Sequence, residues 1–168
     1  LGGSQGSKPF NQFFIKHYKE LIEQEIQIIW QTGILQFSEI QNLVNTSRII
    51  VKSFIKDIHI AYSCSDIVIS RAGALAIEEL KSFNKAMILI PYPHSANNHQ
   101  KFNALELSNN DAAIFIDQQN VEKELIHTID YLLNNDLNRE RIADNATKLY
   151  NPQSLDLIIK SIKECIHV

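Results

Sequence analysis

The feature that most constrains this sequence is an alternation. Apolar runs of three to five residues, rich in isoleucine and valine, take turns with longer segments whose apolar residues recur at spacings of three and four. The first pattern suits a strand buried on both faces and the second an amphipathic helix; their alternation builds βαβ units and a parallel sheet. Strands are expected at residues 26–30, 49–51, 67–70 and 87–90, with a weaker one at 113–116. Helices are expected at 9–24, 37–44, 58–64, 74–83 and 100–109, and Pro9 suits a first helical turn. From residue 121 the pattern is wholly helical, over 121–133, 137–150 and 154–166, broken by the turn signals Asn134-Asn135-Asp136 and Asn151-Pro152. The expected class is α/β: a parallel sheet flanked by helices, with a helical C-terminal segment.

At 168 residues and 45% hydrophobic, the chain is long enough for one sizeable core, and no repeat, low-complexity tract or linker divides it. One compact unit from end to end is expected. A net charge of −3 with both signs scattered along the chain argues against a nucleic-acid partner, which would require a basic stripe. The apolar runs fall far short of the roughly 20 residues that span a bilayer. The first residues carry neither the basic nor the apolar region of a secretory signal, so a cytosolic protein is expected. Cys64 and Cys165 lie far apart without metal-ligand spacing and read as reduced, partly buried small hydrophobes.

Three segments could carry chemistry. Gly2-Gly3-Ser4-Gln5-Gly6 is a glycine-rich turn opening a helix, where backbone N–H groups can approach a phosphate or sugar, although a purely structural turn has the same composition. A βα unit would place a strand before it, yet only Leu1 stands there, so a truncated first strand is expected. Ser70-Arg71-Ala72-Gly73-Ala74-Leu75-Ala76 repeats the arrangement, with a buried strand, a turn of small residues and a helix start. Ligands of open parallel sheets gather at the carboxyl ends of strands, so two such turns would converge on one crevice. Glu79, one turn into that helix, could accept hydrogen bonds from a ribose diol; favourable placement of Glu78 and Glu79 near a positive helix end is the commoner explanation. The third segment, from Pro91 through His94 and His99 to Gln100 and Asn103, is a long polar loop whose amides can donate to and accept from sugar hydroxyls. Its histidines are five apart with no third ligand of matching spacing, so no metal site is assigned, and no nucleophile motif supports a hydrolytic triad.

Taken together, five blocks resemble the MurG family of glycosyltransferases in order and spacing over nearly the whole chain: Gly2-Gly3-Ser4-Gln5-Gly6, Phe54-Ile55-Lys56-Asp57-Ile58, Ser70-Arg71-Ala72-Gly73-Ala74-Leu75 with Glu79, Pro93-His94, and Asn98-His99-Gln100 with Asn103-Ala104. The resemblance implies one Rossmann-like half of a two-domain GT-B enzyme. Residues 1–168 would be its C-terminal domain, which binds UDP-GlcNAc, and the N-terminal acceptor domain would be absent. The implied reaction is inverting transfer of N-acetylglucosamine to lipid I, giving lipid II for peptidoglycan, at the cytoplasmic face of the plasma membrane by a peripherally attached enzyme.

By the same resemblance the backbone at Ile55 would pair with uracil and Glu79 would hold the ribose. The N–H groups of Ala74, Leu75 and Ala76 would receive the diphosphate; His99, Gln100 and Asn103 would address the sugar, with Ser4 and Gln5 near the phosphates. The catalytic base would lie in the acceptor domain, so this chain alone would bind donor without turnover. No Asp-x-Asp motif is present and no metal cofactor is expected. The sequence departs from the family at Ala76, where threonine is frequent, and at Asn97 and Asn98, where two aspartates are frequent. Two other readings are a donor subunit that works with a separate membrane-anchored partner, and a non-catalytic nucleotide-sugar-binding remnant.

Overall fold

A computed structural model describes residues 1–3 and 5–166. The elements follow in the order α1 (Lys8–Glu23), β1 (Ile28–Gln31), α2 (Ile34–Leu43), β2 (Ile49–Lys52), α3 (Ile58–Cys64), β3 (Ile67–Ser70), α4 (Ala74–Ser82), β4 (Ala86–Leu89), α5 (His99–Asn109), β5 (Ile114–Phe115), α6 (Val121–Leu133), α7 (Asp136–Lys148) and α8 (Ser154–Ile166). Every strand pair is parallel: β1 pairs with β2, and β3, β4 and β5 form a second sheet in that order.

Strand β4 shows why the chain folds this way. All four of its residues are buried, and their period of two sends them to opposite faces. Ala86, Ile88 and the following Ile90 pack with Phe10, Phe13 and Leu21 of α1 and Leu125, Ile129 and Leu132 of α6. Met87 and Leu89 pack instead with Tyr62, Ile77, Leu80, Ala104 and Leu107 from α3, α4 and α5. A strand apolar at every position is stable only with helices on both sides. A third cluster, Tyr18, Trp30, Ile40 and Ile49, joins α1 and α2 to the first sheet. The buried Asn11 ties that cluster to the turn after β1: it donates to the Thr32 carbonyl at 2.8 Å and accepts from Trp30 Nε1 at 3.0 Å.

Residues 1–3 run between the two sheets. Leu1 N donates to the Ile69 carbonyl at 2.5 Å and Arg71 N donates to the Leu1 carbonyl at 3.3 Å, the pattern of a parallel ladder beside β3. On the other side, Gln31 Nε2 donates to the Gly3 carbonyl at 2.7 Å. Gly6 and Gly33 are required by close approach. A Cβ on Gly6 would lie 2.1 Å from the Thr32 carbonyl oxygen, and one on Gly33 would lie 2.0 Å from that of Gln5; both residues have φ near +80°.

One expectation is corrected. Cys64 and Cys165 are both exposed rather than partly buried: Cys64 ends α3, whose buried residue is Tyr62, and Cys165 lies on α8. The described side chains of helix α8 are all exposed, Leu157, Ile159, Ile162 and Ile166 included. Among the described residues, no helix is long and apolar enough to cross a membrane.

Candidate functional site

A cleft of about 800 Å³ opens at the carboxyl ends of the strands. Each strand delivers a residue to it: Gln31 at the end of β1, Phe54, Ile55 and Lys56 after β2, Ser70 at the end of β3 with Arg71 after it, Tyr92 after β4 and Gln118 after β5. The glycine turn forms the adjoining wall through Gly2, Gly3, Gln5 and Gly6. This is the crevice that parallel sheets offer to ligands, since every strand there hands over to a loop or helix start.

Its charge runs against that of the chain. The chain carries a net −3, yet the charged side chains lining the cleft are Lys8, Lys56 and Arg71 against the single carboxylate of Glu79. Arg71 is the most constrained of these. Its guanidinium donates to the carbonyls of Ile90 at 3.1 Å and Pro91 at 2.9 Å, to Ser7 Oγ at 2.8 Å and to Gln118 Oε1 at 2.7 Å. It also lies 4.5 Å from the Phe10 ring centroid and 5.6 Å from that of Tyr92. All four acceptors are neutral, and among the described residues no carboxylate pairs with it. Burial lowers its pKa to about 10, which leaves it cationic at neutral pH. A desolvated cation without a counter-charge is a standing attraction for an anion.

Helix α4 adds to that field. Gly73 caps its start without a side-chain hydrogen bond, and Gly73 and Ala76 line the cleft. The N–H groups of Ala74, Leu75 and Ala76 belong to the first turn, which has no intrahelical acceptors for them. The Leu75 side chain is exposed. Glu79, farther along α4, reaches the cleft and accepts a hydrogen bond from Tyr62 Oη at 3.1 Å, whereas Glu78 takes Lys81 at 2.6 Å.

The other expected site residues are distributed as follows. Gln5, Ile55 and Gln100 line the cleft; Ser4 lies outside the described residues. The Ile55 N–H already donates to Gln31 Oε1 at 3.1 Å, so a base using that N–H must displace the Gln31 amide. Gln100 Oε1 accepts from the Tyr92 N–H at 2.9 Å. His99 and Asn103 are not among the residues that line the cleft. The Nδ1–H of His99 donates to the Ala96 carbonyl at 2.7 Å, and Asn103 donates to the Ala72 carbonyl at 3.1 Å, which joins α5 to the turn before α4. Among the described residues no three His, Cys, Asp or Glu side chains gather as a metal site.

Sequence reasoning missed Arg71 as the hub, Gln31 as the brace between the glycine turn and Ile55, and Tyr62 beneath Glu79. Each acts through partners 17 to 64 positions away, so no local pattern marks it.

Known proteins share this architecture. A crystal structure of MurG from Acinetobacter baumannii superposes with a TM-score of 0.83 at 29% identity, over 98% of this chain and 48% of that one. A glycotransferase of kitacinnamycin superposes at 0.68 with 17% identity, a likeness of fold alone. The protein named UDP-N-acetylglucosamine--N-acetylmuramyl-(pentapeptide) pyrophosphoryl-undecaprenol N-acetylglucosamine transferase in Flavobacterium psychrophilum is 34% identical over 96% of the chain and 44% of its own length. The protein of the same name in Vesicomyosocius okutanii is 37% identical over 95% of the chain and 45% of its own length. The chain thus spans a little under half the length of these relatives. With residues 1–158 matching the glycosyltransferase family 28 C-terminal domain, it belongs to that family and has the Rossmann-like form of one half of a GT-B enzyme.

Proposed function

We propose that this chain holds UDP-N-acetylglucosamine for transfer to a polyprenyl-pyrophosphoryl N-acetylmuramyl-pentapeptide, the reaction named for its relatives. The observation that carries the reading is the cation-lined cleft in an acidic chain, placed where an uncapped helix start meets the strand ends. In this reading the diphosphate sits at the first turn of α4, beside Arg71 and near Gln5. Uracil takes the Ile55 backbone in exchange for the Gln31 amide, and Glu79 clamps the ribose. The sugar lies toward Gln100, with His99 and Asn103 supporting that wall.

The chemistry follows from the leaving group. Inverting transfer breaks the bond between the anomeric carbon and the β-phosphate oxygen as an acceptor hydroxyl attacks from the opposite face, so negative charge builds on UDP. Backbone N–H groups at the start of α4 and the positive charge of the fixed Arg71 guanidinium stabilise it with little reorganisation. They provide a positive field from the protein itself, and in this proposal donor binding needs no metal. The proton of the acceptor hydroxyl goes to a base outside this chain, in the half to which the relatives' remaining length corresponds. In the whole enzyme the protein works peripherally at the cytoplasmic face of the membrane.

Titration calorimetry with UDP-GlcNAc, UDP-GalNAc and UDP-glucose tests the proposal. The expected result is tightest binding of UDP-GlcNAc, unchanged by a metal chelator, with no sugar transfer by this chain alone. Failure to bind UDP in any form overturns the donor-site reading; equal affinity for the three sugars removes the role given to the Gln100 wall.

A further inference from the structure

Tyr62 is 3% exposed and its ring tilts against Phe83 at a centroid distance of 5.5 Å, so by packing alone phenylalanine would serve. Its hydroxyl instead reaches the cleft wall and donates to Glu79 Oε2. The direction is unambiguous because an ionised carboxylate only accepts. Burial, reinforced by the adjacent Glu79 charge, raises the phenol's pKa above its ordinary value, so the donor persists across the working pH range. Glu79 is otherwise exposed on a helix, with three side-chain torsions to restrict before it can meet a diol.

We propose that Tyr62 is a positioning residue that holds the Glu79 carboxylate facing the cleft and thereby sets the preference for a ribose over a deoxyribose nucleotide. The inference rests on Glu79 being the ribose ligand. With Oε2 anchored by a group fixed in the core, Oε1 and the remaining lone pair of Oε2 are presented to two vicinal hydroxyls. The torsional cost of ordering the side chain is then met on folding rather than on binding. Tyr62 thus acts on the sugar of the nucleotide without touching it.

The test compares UDP with 2′,3′-dideoxyuridine diphosphate by calorimetry on the full chain and its Tyr62→Phe and Glu79→Gln variants. The unsubstituted chain should prefer UDP, and E79Q should abolish most of that preference. Y62F, which keeps the ring packed on Phe83, should reduce the preference about 5- to 10-fold while leaving affinity for the dideoxy nucleotide unchanged. A preference in Y62F equal to that of the unsubstituted chain overturns the positioning role. Equal loss for both nucleotides also overturns it, because the hydroxyl would then be supporting the fold. No preference in the unsubstituted chain, or none lost in E79Q, overturns instead the assignment of Glu79.

Discussion

Around Arg71 the cleft is braced by a guanidinium with four acceptors and two aromatic rings, whereas between Tyr92 and Asn103 the wall is a loop whose polar groups are engaged with one another. The first region draws on four separate parts of the chain: Ser7 before α1, Arg71 after β3, the Ile90–Pro91 backbone after β4 and Gln118 after β5. Moving any one of them breaks bonds to the others. The second region holds Asn97 and Asn98 both at left-handed φ, 48° and 56°, immediately before α5. Backbone held in that region stores strain at a site of close contact. On the proposed donor-site reading, the region near Arg71 would supply most of the affinity from a preorganised field, and the loop would discriminate by exchanging internal hydrogen bonds for ligand ones.

The largest expected effect comes from removing the hub. Arg71→Met keeps an unbranched apolar stem but deletes the cation and its donors, and UDP affinity should fall about 100-fold, near 3 kcal/mol, as for a lost charge-assisted interaction. Because four acceptors lose their partner, the melting temperature should fall too, and binding is to be measured well below the new transition. UDP affinity within twofold of the parent would mean that the N–H groups of α4 suffice and the comparison is drawn in the wrong place. A smaller effect is expected across the cleft. Gln100→Ala should leave UDP binding unchanged and weaken UDP-GlcNAc by about 1 kcal/mol, roughly fivefold, since a neutral hydrogen bond is exchanged there. Equal weakening of UDP and UDP-GlcNAc would show that Gln100 supports the Tyr92 backbone rather than the sugar.

The same contrast accounts for what was legible in the sequence. The strand after α3 reads directly, because Ile67–Ser70 is an apolar run bounded by polar turns and buried on alternate sides. The first strand was expected at 26–30 and lies at Ile28–Gln31, since Glu25 turns the chain at φ 63° and Gln31 remains in the ladder despite being polar. Gln31 is tolerated at 7% exposure only because Gly3 and Ile55 satisfy its amide, partners no local window contains. Helix α2 starts at Ile34, before the expected residue 37, with Ile34 and Leu35 exposed. A periodicity argument assigns such residues to a buried face and so misses the start. At the site, the glycine turn and the start of α4 were visible as composition. Arg71 and Tyr62 were not, because their roles come from sheet order bringing distant loops together.

The smallest expected effect concerns the strained loop itself. Asn98 precedes α5 at φ 56°, a conformation that asparagine tolerates and alanine does not, the difference being about 1 kcal/mol. Asn98→Ala should therefore lower stability by that amount in denaturant titration. Its effect on ligands separates two accounts of the loop. If the left-handed pair only lets the chain enter α5, UDP and UDP-GlcNAc affinities both stay at their parent values. If it aims the first turn of α5 into the cleft, UDP-GlcNAc weakens severalfold while UDP, held by the Arg71 region, does not change. The second outcome is expected, because Gln100 lies in that first turn and is the one residue of it on the cleft wall.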